Sequence, residues 1–239
     1  MAPSLEAGGG HARAGVRAGR RWREPRRRRA RWTLVALPSL TDQAERLVRL
    51  GVHELAGTPA DRLREAAADG PADGLLVTAA PASVLAPLLR RPDAHEHKEG
   101  FVVADMTDVD LFAPTVEVPA PPYVALGLER GDAFLDRTPA ESVPELLAAG
   151  RSPMTLAEGL HWVLQEPEVL QRNACFMTPG SRLRRGDGSY DARTPALWIS
   201  NGTGRDGRER RDAVKLGWCW WRNRHTWLGV ASCAARRAV

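Results

Sequence analysis

Cysteine is scarce in this chain, and so is every aromatic residue except tryptophan: 239 residues hold three cysteines, two tyrosines and four phenylalanines. The three thiols, Cys175, Cys219 and Cys233, are an odd number without paired spacing, which excludes a disulfide framework as the source of stability and points to a reducing, cytoplasmic setting. No apolar run approaches the roughly 20 residues needed to cross a bilayer, and the twin Arg20-Arg21 leads into more arginine rather than into a hydrophobic stretch. Neither a membrane partner nor an export signal is therefore expected, and the chain reads as soluble. Also lacking are an internal repeat, a phosphate-cradling glycine loop and a recognisable catalytic triad.

Charge is unevenly spread. Residues 1–32 hold ten arginines against Glu6 and Glu24, a balance of +8, whereas the remaining 207 residues carry 24 basic and 27 acidic groups, a balance of −3. The basic character thus belongs to an N-terminal arm of alanine, glycine and arginine with too little apolar content to fold. Clustered guanidiniums could grip nucleic-acid phosphates by counterion release. The same composition would also arise by translation from a start codon placed too far upstream in GC-rich DNA. The mildly acidic body itself speaks against nucleic acid as its partner.

From Thr33 onward the pattern changes to alternating apolar and charged residues. Helices are expected from Thr41 to Leu50, after the Thr58-Pro59-Ala60-Asp61 start, from Pro81 to Arg91, and after two capping-box sequences, Thr138-Pro139-Ala140-Glu141 and Thr155-Leu156-Ala157-Glu158. Strands are expected at Gly74–Ala80, Phe101–Ala104 and Tyr123–Leu128, and then at Ala174–Met177, Ala196–Ser200, Val214–Trp221 and Thr226–Ser232. The resulting fold class is α+β: an N-terminal helix and strand layer, residues 33–150, and a C-terminal part, 151–239, in which a helical bridge leads to a small antiparallel tryptophan-rich sheet. The two parts are expected to share one core. Two polar, glycine-rich stretches, Leu183–Thr194 and Asn201–Asp212, have little to bury and read as surface loops.

Five of the eight tryptophans lie between Trp198 and Trp227, beside Cys219, Asn223, His225 and Cys233. Here Pro195-Ala-Leu-Trp-Ile-Ser200, Lys215-Leu-Gly-Trp-Cys-Trp220, His225-Thr-Trp-Leu-Gly229 and Ala231-Ser-Cys233 resemble domain-of-unknown-function family 5701, an actinobacterial family. Upstream, Arg46-Leu-Val-Arg-Leu-Gly51, His53-Glu-Leu-Ala-Gly57, Gly150-Arg-Ser-Pro-Met-Thr155, Glu158-Gly159, Asn173, Cys175-Phe176 and Gly180-Ser-Arg182 extend the resemblance through the whole body. It departs at residues 1–32 and in the two glycine-rich loops, and it implies no activity.

Three chemistries remain for the tryptophan-rich segment. A groove of tryptophan faces, with polar contacts from its neighbours, would make a binding or interaction protein for a small molecule or a protein partner; Arg182, Trp198, Lys215, Trp218, Trp220, Asn223, His225 and Trp227 are the candidates. Cys219 or Cys175 with His225 as base would make a thiol enzyme. Cys175, Cys219, His225 and Cys233 are the right donor types for a structural zinc. A hairpin of Val214–Trp221 with Thr226–Cys233 around Arg222–His225 would set Trp220 opposite Trp227 and put Cys219 and Cys233 on opposite faces, so zinc requires an odd-length loop or a bulge there. His95-Glu96-His97 and the acidic Asp105, Asp108 and Asp110 read as surface and capping groups. The tripeptide Arg185-Gly186-Asp187 and the sequon Asn201-Gly202-Thr203 lack the extracellular context that would give them meaning.

Overall fold

The computed structural model describes residues 36–92 and 98–239. The arginine-rich arm and the histidines at 95 and 97 lie outside those residues. Six helices form among the described residues: α1 Leu40–Arg49, α2 Val52–Leu55, α3 Ala60–Asp69, α4 Ala82–Leu85, α5 Pro139–Ala148 and α6 Leu156–Gln165. Both capping boxes close as their sequences require, Thr138 with Glu141 and Thr155 with Glu158. Thr58, by contrast, does not cap α3. Pro59 occupies the N-cap position, and its carbonyl accepts from the Arg62 and Leu63 N–H groups. The expected helix from Pro81 to Arg91 is cut short: α4 passes into a 3₁₀ turn over Ala86–Leu88, where Pro87 brings no N–H to continue the α-helical ladder.

The strands are β1 Leu75–Val77, β2 Phe101–Val102, β3 Phe112–Pro114, β4 Tyr123–Leu126, β5 Ser152–Pro153 and β6 Cys175–Met177, then β7 Ser181–Leu183, β8 Arg193–Ile199, β9 Val214–Trp220, β10 Leu228–Val230, β11 Ser232–Cys233 and β12 Ala235–Ala238. They build a three-stranded antiparallel sheet in the order β1-β4-β12, a five-stranded sheet in the order β10-β6-β8-β9-β2, and two small ribbons, β5 with β11 and β3 with β7. The class is α+β. Each larger sheet takes strands from both halves of the chain, β12 joining β1 and β4, and β2 joining the tryptophan-bearing strands.

The expected hairpin does not form. Strand β9 pairs antiparallel with β8 over seven residues and parallel with β2, while β10 pairs parallel with β6, at the far edge of the same sheet. The chain from Trp221 to Trp227 therefore crosses from one side of the sheet to the other instead of reversing in place. Cys219 stands opposite Thr194 and Leu228 opposite Cys175, so the parity argument built on a hairpin has no counterpart in the molecule.

Helix α6 is buried nearly all round and contacts both β1 and β8. A helix in that position must be apolar on every face or carry satisfied polar groups. Gly159 permits the close approach: a Cβ added there would stand 2.5 Å from Thr178 Cγ2 and 3.2 Å from Phe176 and Leu197. The charged and imidazole groups of the helix are committed. The fully buried Glu158 carboxylate accepts from Arg236 Nε at 2.6 Å, Arg236 Nη2 at 2.9 Å, Tyr123 Oη at 3.1 Å and the Thr155 N–H at 2.7 Å, tying β12 and β4 to the helix start. His161 accepts at Nε2 from the Thr78 N–H at 3.2 Å and donates through Nδ1 to the Ala157 carbonyl at 2.8 Å. Gln43 of α1 plays a similar part on β1, donating to the Gly74 carbonyl and accepting from the Leu76 N–H.

Candidate functional site

The site begins with the long β8–β9 ladder. Trp198 stands opposite Lys215, and the next pair toward the centre on that face is Ala196 opposite Gly217. The small pair leaves room for the indole, which lies so close over Gly217 that a Cβ there would be 2.5 Å from its Cη2. Lys215 Nζ lies 5.1 Å from the Trp198 ring centroid and donates to both oxygens of Asp206 at 2.8 Å. Asp206 also accepts from Ser200 Oγ at 2.7 Å. This fastens the Asn201–Asp212 stretch, expected to have little to bury, onto the sheet through one largely buried carboxylate. Lys215→Met is expected to lower stability by about 2 kcal/mol, because Asp206 keeps its charge and loses its cation. Chemical denaturation of the two proteins measures this.

Trp227 arrives from the crossing segment. Its carbonyl accepts from the Cys175 N–H at 2.9 Å, and its ring lies 6.2 Å from that of Trp198 at an interplanar angle of 75°. Such edge-to-face pairs are favoured by the ring quadrupoles. Trp218, half-buried, packs at 4.6 Å and 67° against Trp220, which is 49% exposed. Trp198, Trp218 and Trp227 together line a groove of about 460 Å³, with Cys175, Ile199 and Cys219 as further wall residues and Arg172, Asn173 and Asn201 at its rim.

Three of the eight candidate residues thus line the groove, with the rings of Trp198 and Trp227 in contact and Trp218 on the other face of the β8–β9 ladder from Trp198. His225 and Asn223 stand beside the groove, the imidazole 5.6 Å from the Trp227 ring and 3.5 Å from the Asn223 amide. Lys215 braces Trp198, and Trp220 covers Trp218. Arg182 is elsewhere: it lies on β7, 8% exposed, with its guanidinium 3.9 Å over the Trp221 ring and Nη2 donating to the Asp191 carbonyl at 2.6 Å. The Leu183–Thr194 stretch is fastened too, since the Asp191 carboxylate accepts from Arg193 Nε and from Arg185. The acidic trio is committed: Asp108 pairs with Arg193, Asp110 accepts from the Ser83 N–H, and Asp105 faces Arg205.

Sequence reasoning misses the rim. Arg172 pairs with Asp212 and donates to Asn201 Oδ1 at 3.1 Å, and Asn173 adopts a left-handed φ of 61° in the turn before β6. Asn173 is among the residues that carry the family resemblance, but that match does not identify its neighbours.

Burial dominates the electrostatics of all three thiols. Burial pushes Cys175 up to about 11 and Cys219 up to about 12, and burial also lowers His225 below the usual imidazole value. For Cys219 nothing offsets desolvation, whereas a reactive thiolate needs a cation or a helix N-terminus beside it. Cys219 is therefore expected to react with a disulfide reagent at pH 8 about two orders of magnitude more slowly than free cysteine. Native and denatured thiol titrations measure the difference, and fast native labelling with a neutral apparent pKa would revive a Cys–His site. Cys233 lies on β11 opposite Ser152, and burial pushes it up to about 11. Among the described residues no three His, Cys, Asp or Glu side chains converge on a metal-binding position, so Cys175, Cys219, His225 and Cys233 are not gathered into a zinc site.

The family described only as a family of unknown function, DUF5701, matches residues 46–239. No curated protein and no solved structure matches the chain.

Proposed function

The chain belongs to DUF5701, and from that premise we propose that it is a binding protein that takes a small ligand in the groove walled by Trp198, Trp218 and Trp227. The observation that carries the reading is the convergence of two half-buried indoles, Trp198 and Trp227, from separate segments on one open groove. A tryptophan wholly committed to core packing would be covered, as Trp162 is against Phe176. The groove's volume lies within the range usual for small-molecule sites. No helix among the described residues is long and apolar enough to cross a membrane.

A thiol enzyme is the weaker alternative, because the two groove cysteines are held as neutral thiols. Nucleic-acid binding through the arginine-rich arm is a separate proposal, and it predicts steep salt dependence that disappears when residues 1–32 are deleted. Saturation-transfer NMR against a mixed small-molecule library tests the groove directly. Hits are expected with the wild-type protein and their loss with Trp227→Leu. Hits that persist unchanged in that variant would rule the groove out as the binding site.

A further inference from the structure

Formal charge is sparse in the lining of the groove. Of the residues that line it, Arg172 alone carries a formal charge, and its guanidinium is held by the Asp212 carboxylate and the Asn201 amide oxygen. Lys215, beside Trp198, is bound by both oxygens of Asp206. The two thiols in the wall are neutral at physiological pH because burial raises both. A ligand bearing a carboxylate or phosphate would leave water for a surface whose lining cation already shares its charge with Asp212, and incompletely compensated desolvation of a charge is costly.

The hydrogen-bonding groups differ from those a sugar needs. Vicinal hydroxyls are donors as well as acceptors, and ionised carboxylates are the strongest acceptors a protein can offer them. No carboxylate is among the described residues lining the groove, and the nearby Asp212 is engaged by Arg172. What the rim does offer is amides. The Asn173 side chain is exposed and the Asn201 amide has its NH₂ end beyond the oxygen that Arg172 occupies. Amides carry a donor and an acceptor in one plane, as does the edge of a heterocycle. The walls offer indole faces, edges and polarisable sulfur, all of which contact flat rings favourably.

Resting on the reading of this groove as a small-ligand site, we infer that its ligand is a flat, electrically neutral heterocycle, packed against Trp198 and Trp227 and read along its edge by Asn173 and Asn201. Such a ligand binds with its charge-free ring inside the groove, and an anionic substituent on the ring weakens it.

Matched compound pairs test this on the full-length protein: adenosine and adenosine monophosphate, nicotinamide and nicotinate, indole and indole-3-acetate, with methyl glucoside as a neutral non-aromatic probe. The readout is the set of ¹⁵N indole N–H resonances, assigned by single Trp→Phe replacements. At least one neutral heterocycle is expected to shift Trp198 or Trp227, its anionic partner to bind at least tenfold more weakly, and Asn173→Ala to weaken the neutral compound without unfolding the protein. An anionic partner that binds as well as or better than its neutral counterpart overturns the inference while leaving the small-ligand reading intact. Methyl glucoside shifting those resonances when no heterocycle does has the same meaning. No response at those two tryptophans to any compound overturns both.

Discussion

Glu158→Ala is expected to destabilise the protein by about 5 kcal/mol, the largest single-residue effect anticipated. Removing one partner of a buried ion pair leaves the other charge in a low-dielectric interior, at about 3–5 kcal/mol, and loss of the α6 capping box adds about 1 kcal/mol. After the replacement Arg236, whose side chain is 6% exposed, retains Ser152 Oγ and the Pro153 carbonyl but has no anion at its Nε. Tyr123 loses the acceptor of its hydroxyl in the same step. For a chain of this size the expected fall in Tm is about 10–20 °C. The double replacement Glu158→Leu with Arg236→Met is expected to cost less than Glu158→Ala alone, because it removes both charges together. Denaturation of the two single variants and the double variant measures the coupling, and a cost under about 1 kcal/mol for Glu158→Ala would mean that the pair is solvated.

Acid is expected to weaken the fold well above the pH at which carboxylates titrate. His161 is completely buried, and burial lowers it from 6.5 to about 4. Folded, it stays neutral down to that value; unfolded, it takes a proton near 6.5. Between the two the unfolded chain binds more protons, so stability is full above about pH 6.5 and is lost as the pH falls toward 4. The loss from this group totals about 3 kcal/mol. His225, also lowered by burial, acts with the same sign, whereas Glu166, raised by burial, acts against it. Asp191 belongs to a lower window: burial raises it, but hydrogen bonds from Arg193, the backbone and Arg185 outweigh that and hold it at about 2. Urea denaturation at about pH 7 and about pH 4.5 should show most of the loss in the wild type and much less of it in His161→Gln. A wild-type stability unchanged between those pH values would contradict the neutral, buried imidazole.

Local structure is legible in the sequence where a single interaction decides it. The two capping boxes name their own helix starts, because the Thr side chain and the Glu three residues later satisfy each other's backbone donors. Each expected strand contains an observed one within a few residues. Pairing is not legible. The loop Arg222–His225 has the length of a tight turn, yet β10 lies parallel to β6 rather than against β9. That arrangement depends on α5 and the Gly131–Phe134 turn packing against β10, contacts far apart in sequence that no local pattern encodes. The candidate site shares this limit. Tryptophan density singles out Trp198, Trp218 and Trp227, but only the crossing connection brings the third ring to the first. Arg182 stands in a matching motif and instead stacks on Trp221, away from the groove. Asn201 reads as part of a polar loop, although Asp206 and Asp212 fasten that loop and bring it to the groove's rim.

A crystallographic fragment soak tests the central claim most directly, since it works whatever the natural ligand is. The expected result is that aromatic fragments gather in the groove, in contact with Trp198 and Trp227, while those side chains keep their mutual geometry. Fragments that settle elsewhere, with the two indoles closed onto one another and the groove filled, would contradict a ligand site there and leave the tryptophan cluster as core packing.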